Sequence, residues 1–236
     1  MSTRGTPLVF VLIALFGLSL AAPVLAGPNK DAKLLLHLVA TEKRRGGNCF
    51  SGLPQDAETV LTEGVLESQQ YYAYVVIVDF DTTEGVAGAQ FGISYDDAKG
   101  SGVDIGHWQN CALYEWPMDD WPASGTGNLL TWSHVDDCQQ KVPIPVGFFF
   151  LTAYSNDRMK LIPRPVDGLA RVAVCGRTGR RASSNQAESL QTENLGWLDF
   201  GEGPGYNPWD PEQNLLNIEK ENRFRPMKGK KSQSKD

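Results

Sequence analysis

Three groups of side chains have the types and spacing to do chemistry. The first is Asp79-Phe80-Asp81-Thr82-Thr83-Glu84-Gly85. Alternate aspartates project to one side of a continuing strand, and Glu84 just beyond would close an oxygen cage. Calcium takes about six to eight oxygen ligands. Asp79, Asp81 and Glu84, helped by carbonyls, are therefore a candidate calcium site. The spacing is not that of an EF-hand, and the competing reading is a strand-end turn whose aspartates cap backbone groups. No other cofactor is expected.

The second group is Cys49, Cys111, Cys138 and Cys175, with His107 four residues before Cys111 and His134 four before Cys138. Thiolates and imidazoles in a Cys2His2 set suit zinc. An even number of cysteines in an exported chain suits two disulfides instead. Four cysteines allow three pairings. The favoured one is Cys111–Cys138, closing a moderate loop, with Cys49–Cys175 tying the ends of the domain together.

The third group is aromatic and acidic: Trp108, Trp116, Trp121 and Trp132, with Tyr114, Glu115, Asp119 and Asp120. Exposed indoles stack on sugar faces or form protein hot spots, and adjacent carboxylates bond hydroxyls. Trp116 and Trp121, each followed by proline, are the expected exposed pair. The alternative is that the tryptophans pack the core beside a disulfide. Glu115 with Asp119 or Asp120 also imitates a glycosidase acid pair, so a hydrolase is carried as a reading from another class. Ser124 lies in Ala-Ser-Gly-Thr-Gly, which is not a nucleophile elbow. Gly125-Thr126-Gly127 lacks the Lys-Ser/Thr of a phosphate loop.

The elements that must hold these groups read as strands. Lys33–Ala40 is the first. Tyr71–Val78 (YYAYVVIV) is the strongest, and its unbroken apolar character predicts cover on both faces. In Ala89–Tyr95 the residues Phe91, Ile93 and Tyr95 share one face, and Gln90, Gly92 and Ser94 the other. The apolar side reads as core; the small, flat polar side meets solvent or docks something. Val103–Trp108, Leu129–Val135, Gly147–Tyr154 and Leu169–Cys175 complete the series, and Asp56–Leu61 is a candidate short helix. Short strands separated by turn clusters predict an all-β antiparallel sandwich.

Residues 1–26 have the layout of a secretory signal peptide: Arg4, an apolar run over Leu8–Leu20, and small residues up to Ala26. Residues 27–175 are expected to form the sandwich. Residues 176–236 are expected to be a linker and a partly disordered extension, with Leu195–Tyr206 able to pack back. After signal cleavage no apolar stretch is long enough to span a membrane.

Gly85-Val86-Ala87-Gly88-Ala89-Gln90-Phe91-Gly92-Ile93-Ser94-Tyr95-Asp96 resembles an early strand segment of cohesin-type modules. Gly168-Leu169-Ala170-Arg171-Val172-Ala173-Val174 resembles a late strand of the same modules, in the right order. The chain is also similar to uncharacterised secreted bacterial proteins with a cohesin-like or carbohydrate-binding-module-like sandwich. The resemblance covers about Tyr71 to Cys175. It implies a nine-stranded jelly-roll and a non-catalytic binding or scaffolding role.

The formal net charge is −6. Between Phe50 and Gln140 there are 15 Asp and Glu against one base, Lys99. Such a body repels phosphate, which argues against nucleic acid as a partner. The expected partner is a protein or polysaccharide outside the cell, met by a secreted module.

Overall fold

The computed structural model describes residues 27–44, 46–66, 69–175, 187–201 and 203–213. The expected signal peptide, most of the expected linker and the basic end lie outside these residues.

Among the described residues twelve strands are formed: β1 (Lys33–Thr41), β2 (Glu63–Gly64), β3 (Gln70–Val78), β4 (Val86–Ser94), β5 (Val103–Asn110), β6 (Tyr114–Glu115), β7 (Gly127–Thr131), β8 (Ile144–Ala153), β9 (Asp157–Ile162), β10 (Arg171–Val174), β11 (Ala187–Ser189) and β12 (Trp197–Phe200). They make two sheets, where the resemblance implies nine strands in all. The first has the order β1-β3-β8-β5; the second runs β11-β10-β4-β9-β12-β2, with β7 added to β4 and β6 to β7. Every pairing is antiparallel except β12 with β2. The protein is an all-β sandwich. Among the described residues no helix is long and apolar enough to cross a membrane.

Alternation decides what faces what. Leu34, Leu36 and Leu38 of β1 and Phe149 and Leu151 of β8 meet Phe91 and Ile93 of β4, Met159 of β9, and Leu198 and Phe200 of β12 in one core. The other side of the first sheet carries a second apolar cluster: Leu35, Tyr72, Tyr74, Val76, Val78, Phe148 and Phe150. Cys49, Leu53, Val60 and Trp209 lie over it. That is why every residue of Tyr71–Val78 is buried, as its apolar run requires. The strap between β1 and β2, with a 3-10 turn at Ala57–Thr59, serves as a roof. Its inner end is held by His37, whose Nδ1 accepts the Leu61 N–H at 3.0 Å.

The sandwich does not stop at Cys175. β11 pairs with β10, and β12 pairs with β9, with Leu198 and Phe200 fully buried. Leu195–Phe200 carries apolar side chains that complete the core on the far side of β9, so the chain returns to bury them.

The favoured disulfide pairing is also corrected. Cys49 bonds Cys111, and Cys138 bonds Cys175. The roof brings Cys49 to the end of β5, which leads into Cys111. Cys138 and Cys175 approach the start of β4 from its two edges: Gln139 pairs with Val86 on one side, and the Cys175 N–H reaches the Gly85 carbonyl on the other. Gly85, at φ 67°, lets them close, because a side chain there would strike the Cys138 sulfur.

Candidate functional site

β4 is the hinge of the second sheet's layout. One of its edges carries β7 along Gly88–Gly92. The other carries β10 along Val86–Gln90 and β9 along Gly92–Ser94. The excursion between β9 and β10 closes on itself through Arg164 and Leu169.

The registers set two rows of side chains on the outside of this sheet. Ser189, Arg171, Gln90 and Leu129 lie side by side, and Trp116 continues the row through backbone bonds with Leu129. The neighbouring row is Ala187, Ala173, Gly88, Thr131 and Tyr114. The middle of the face is therefore low and apolar. Gly88 has no room to be anything else, since a Cβ there would meet the Leu130 carbonyl oxygen at 2.8 Å. A shallow groove of about 200 Å³ runs over Gly88, Gln90, Leu129, Thr131, Arg171, Ala173 and Ala187. Tyr114 and Trp116 rise at its edge, 59% and 52% exposed, with ring centroids 6.2 Å apart. Gln90 is only 5% exposed. Its Nε2 donates to both Asp167 carboxylate oxygens at 2.8 Å and to the Leu169 carbonyl at 3.0 Å. Period-two alternation located the polar side of β4, but the neighbours that complete the face come from residues 114–131 and 171–189. Sequence spacing carries no signal for that juxtaposition.

Of the expected aromatic pair, only Trp116 is outside. Trp121 turns inward and packs edge-on against Phe91 and Trp108, at 5.9 and 5.4 Å between centroids, and against Phe149 at 5.7 Å. Both precede proline, but Trp116 is the outward residue of the β6 ladder while Trp121 follows Asp120, whose φ of 64° redirects the chain. The two indoles do not form one platform.

Glu115 alternates with Tyr114 and Trp116 and so points inward. Its Oε2 accepts Trp108 Nε1–H at 3.0 Å and Asn128 Nδ2–H at 2.9 Å. Burial pushes its carboxyl up, but hydrogen bonds from Asn110, Asn128 and Trp108 outweigh this and hold it below the ordinary value. A general acid needs the opposite shift. Asp119 and Asp120 lie exposed in the following turn. The Glu115 carboxylate serves here as an acceptor for Trp108 and Asn128.

The calcium set is dispersed into local bonds. Asp79 forms an ion pair with Lys33. Asp81 Oδ1 accepts the N–H groups of Thr83 and Glu84 at 2.8 and 3.1 Å, and the Glu84 carbonyl lies near the Cys138 sulfur at 3.8 Å. Among the described residues, no three or more His, Cys, Asp or Glu gather as a metal site. The turn-capping reading describes this segment. The zinc set is dispersed too. Cys111 and Cys138 belong to different disulfides, His107 stacks on Phe150 at 5.6 Å, and His134 is exposed.

No family model matches the chain, and no curated protein matches it. Solved cohesin modules are similar to it. A cohesin module from a Clostridium perfringens family 33 glycoside hydrolase is 11% identical, covering 72% of this chain and 100% of its own, with a TM-score of 0.39. The sixth cohesin of Acetivibrio cellulolyticus scaffoldin B, solved with a dockerin, is 12% identical over 67% of this chain and 99% of its own, TM-score 0.38. A type I cohesin–dockerin complex from Clostridium thermocellum gives 7% identity over 72% and 95%, TM-score 0.39.

Proposed function

We propose that the chain is a non-catalytic protein-binding module that docks its partner on the outside of β11-β10-β4-β7-β6 and works outside the reducing cytoplasm. The observation that supports docking is the contrast between the two broad faces. The outside of the first sheet is roofed by the strap, a disulfide and Trp209. Among the described residues the outside of the second carries no such cover; it is flat and small-residued at its centre, with two exposed aromatic rings at one edge. Apolar floor, aromatic rim and a shallow groove are the composition of a recognition patch. Two disulfides among four cysteines suit an oxidising compartment.

A protein fits this face better than a sugar chain. Tyr114 and Trp116 are tilted by 43° to one another, so they offer no common plane for successive rings. The amide of Gln90 that would bond hydroxyls is already committed to Asp167 and Leu169.

The test is a photoreactive residue at Thr131, in the face, against one at Glu58, in the roof. Each protein is exposed to the secreted proteins of the producing organism. Cross-links formed from position 131 alone, and abolished by Ala173→Trp, are expected. Equal cross-linking from both positions overturns the docking reading. Binding to a glycan array that is lost in Trp116→Ala would assign the face to carbohydrate instead.

A further inference from the structure

The groove holds one charged side chain, and its surroundings leave that charge unanswered. Arg171 stands between Gln90 and Ser189 in the outward row. Its Nε is shut off from water and has no hydrogen-bond partner. Among the described residues none of the ion pairs includes Arg171. The carboxylate nearest in the layout, Asp167, is held by Gln90 through both oxygens and accepts the Leu169 N–H at 3.3 Å. Glu188, next to Arg171's partner on β11, pairs with core Val172 and lies against Gly27, on the other side of the sheet. A second guanidinium sits at the Trp116 side. Arg164 Nη2 donates to the Trp116 carbonyl at 3.3 Å, and its Nε is likewise buried without a partner.

Arg171 is half-buried, with its Nε shielded and, among the described residues, no acidic side chain paired to it, and a carboxylate answers the planar fork of a guanidinium with two parallel bonds. We propose that the partner is a polypeptide segment that sets one Asp or Glu carboxylate on Arg171, with apolar side chains on either side of it along the groove. This rests on the outer face being the docking surface. A single acid is favoured over a polyanion. The floor immediately beside Arg171 is Gly88, Leu129, Ala173 and Ala187, which carry no charge, so a row of closely spaced anionic groups finds no row of cations there. The chain is acidic overall, and 15 of its acids fall between Phe50 and Gln140, so an acidic polysaccharide would be repelled along its length.

The probe is a displayed library of random peptides, panned against the full mature chain. Enriched peptides are then made synthetically. They are expected to share one acidic residue between apolar ones. Arg171→Gln in the protein, or the acid-to-amide change in the peptide, should each weaken binding about 30-fold, with the double change no weaker than either alone. Arg171→Lys keeps the charge without the fork and should fall between; it also serves if Arg171→Gln melts early. Peptides lost with Ala173→Trp but indifferent to Arg171→Gln and Arg171→Lys would overturn the carboxylate seat and leave the docking face standing. Peptides indifferent to all three would overturn both. Polyglucuronate binding that depends on Arg171, with no acidic peptide enriched, would overturn the assignment to a polypeptide.

Discussion

Gln90 holds Asp167 by both carboxylate oxygens, each 2.8 Å from its Nε2. This joins the middle of β4 to the loop that separates β9 from β10. Replacing Gln90 with Met fills the same space but removes the side-chain donor shared by Asp167 and the Leu169 carbonyl, which keep only backbone N–H partners. A loss of about 2 kcal/mol is expected in urea unfolding, with an unchanged slope. A midpoint equal to that of the parent protein would show the contact to be ornamental.

His37 should make the roof acid-sensitive. It is 5% exposed, and burial lowers its pKa to about 4 from 6.5, opposed in part by the Gly52 backbone. The unfolded chain therefore binds a proton that the folded chain refuses between those values. Stability is whole above about pH 6.5, falls as the pH drops towards 4, and levels off below it, for a loss on the order of 3 kcal/mol. His37→Asn should flatten that part of the curve. Melting temperatures collected from pH 7 to 4 decide it; identical slopes for the two proteins count against the assignment.

The Glu115 carboxylate acts with the same sign, lower in the acid range. Because its folded value is depressed, its contribution is present above the ordinary carboxylate pKa and fades as the pH falls through the lower folded value. Glu115→Ala should cost about 2–4 kcal/mol, because Trp108 and Asn128 lose their acceptor. A change in tryptophan emission should accompany it.

Trp116 and Trp121 should separate cleanly. Trp121→Ala removes contacts with Phe91, Trp108 and Phe149 and is expected to cost about 3 kcal/mol. Trp116→Ala should leave the melt within about 0.5 kcal/mol of the parent. Equal effects on stability would contradict the inward and outward placement.

The strongest parts of the fold were legible because they carry local patterns. Tyr71–Val78 announces itself by unbroken apolar and β-branched residues. Phe91 and Ile93 against Gln90 and Gly92 fix a two-faced strand. Asp157–Ile162 (DRMKLI) is too short and too charged on its outer side to stand out, although Met159 and Leu161 are fully or nearly fully buried. β12 lies beyond a polar stretch that hides its attachment to β9. The disulfides depend on which distant segments the topology juxtaposes, and spacing along the chain does not encode that. The same holds for the outer face. Its central strand was readable as polar and small, but Arg171 and Trp116 reach it from separate strands.

The disulfides themselves give a direct check on the topology. A non-reducing peptide map should yield 49–111 and 138–175 linked peptides. Replacing Cys49 and Cys111 by serine should cost about 4 kcal/mol by loop closure, given the separation of 62 residues. It should also raise dye binding to Tyr72, Tyr74, Phe148 and Phe150 as the strap loosens. A 111–138 peptide would require a different arrangement of the roof.

The roof has a consequence for counting. With strap and disulfide closing one broad side of the sandwich, each copy offers a single open side. On the proposed docking, one copy of the chain therefore seats one partner segment, and a stoichiometry above one to one would require repetition of that segment or of the chain.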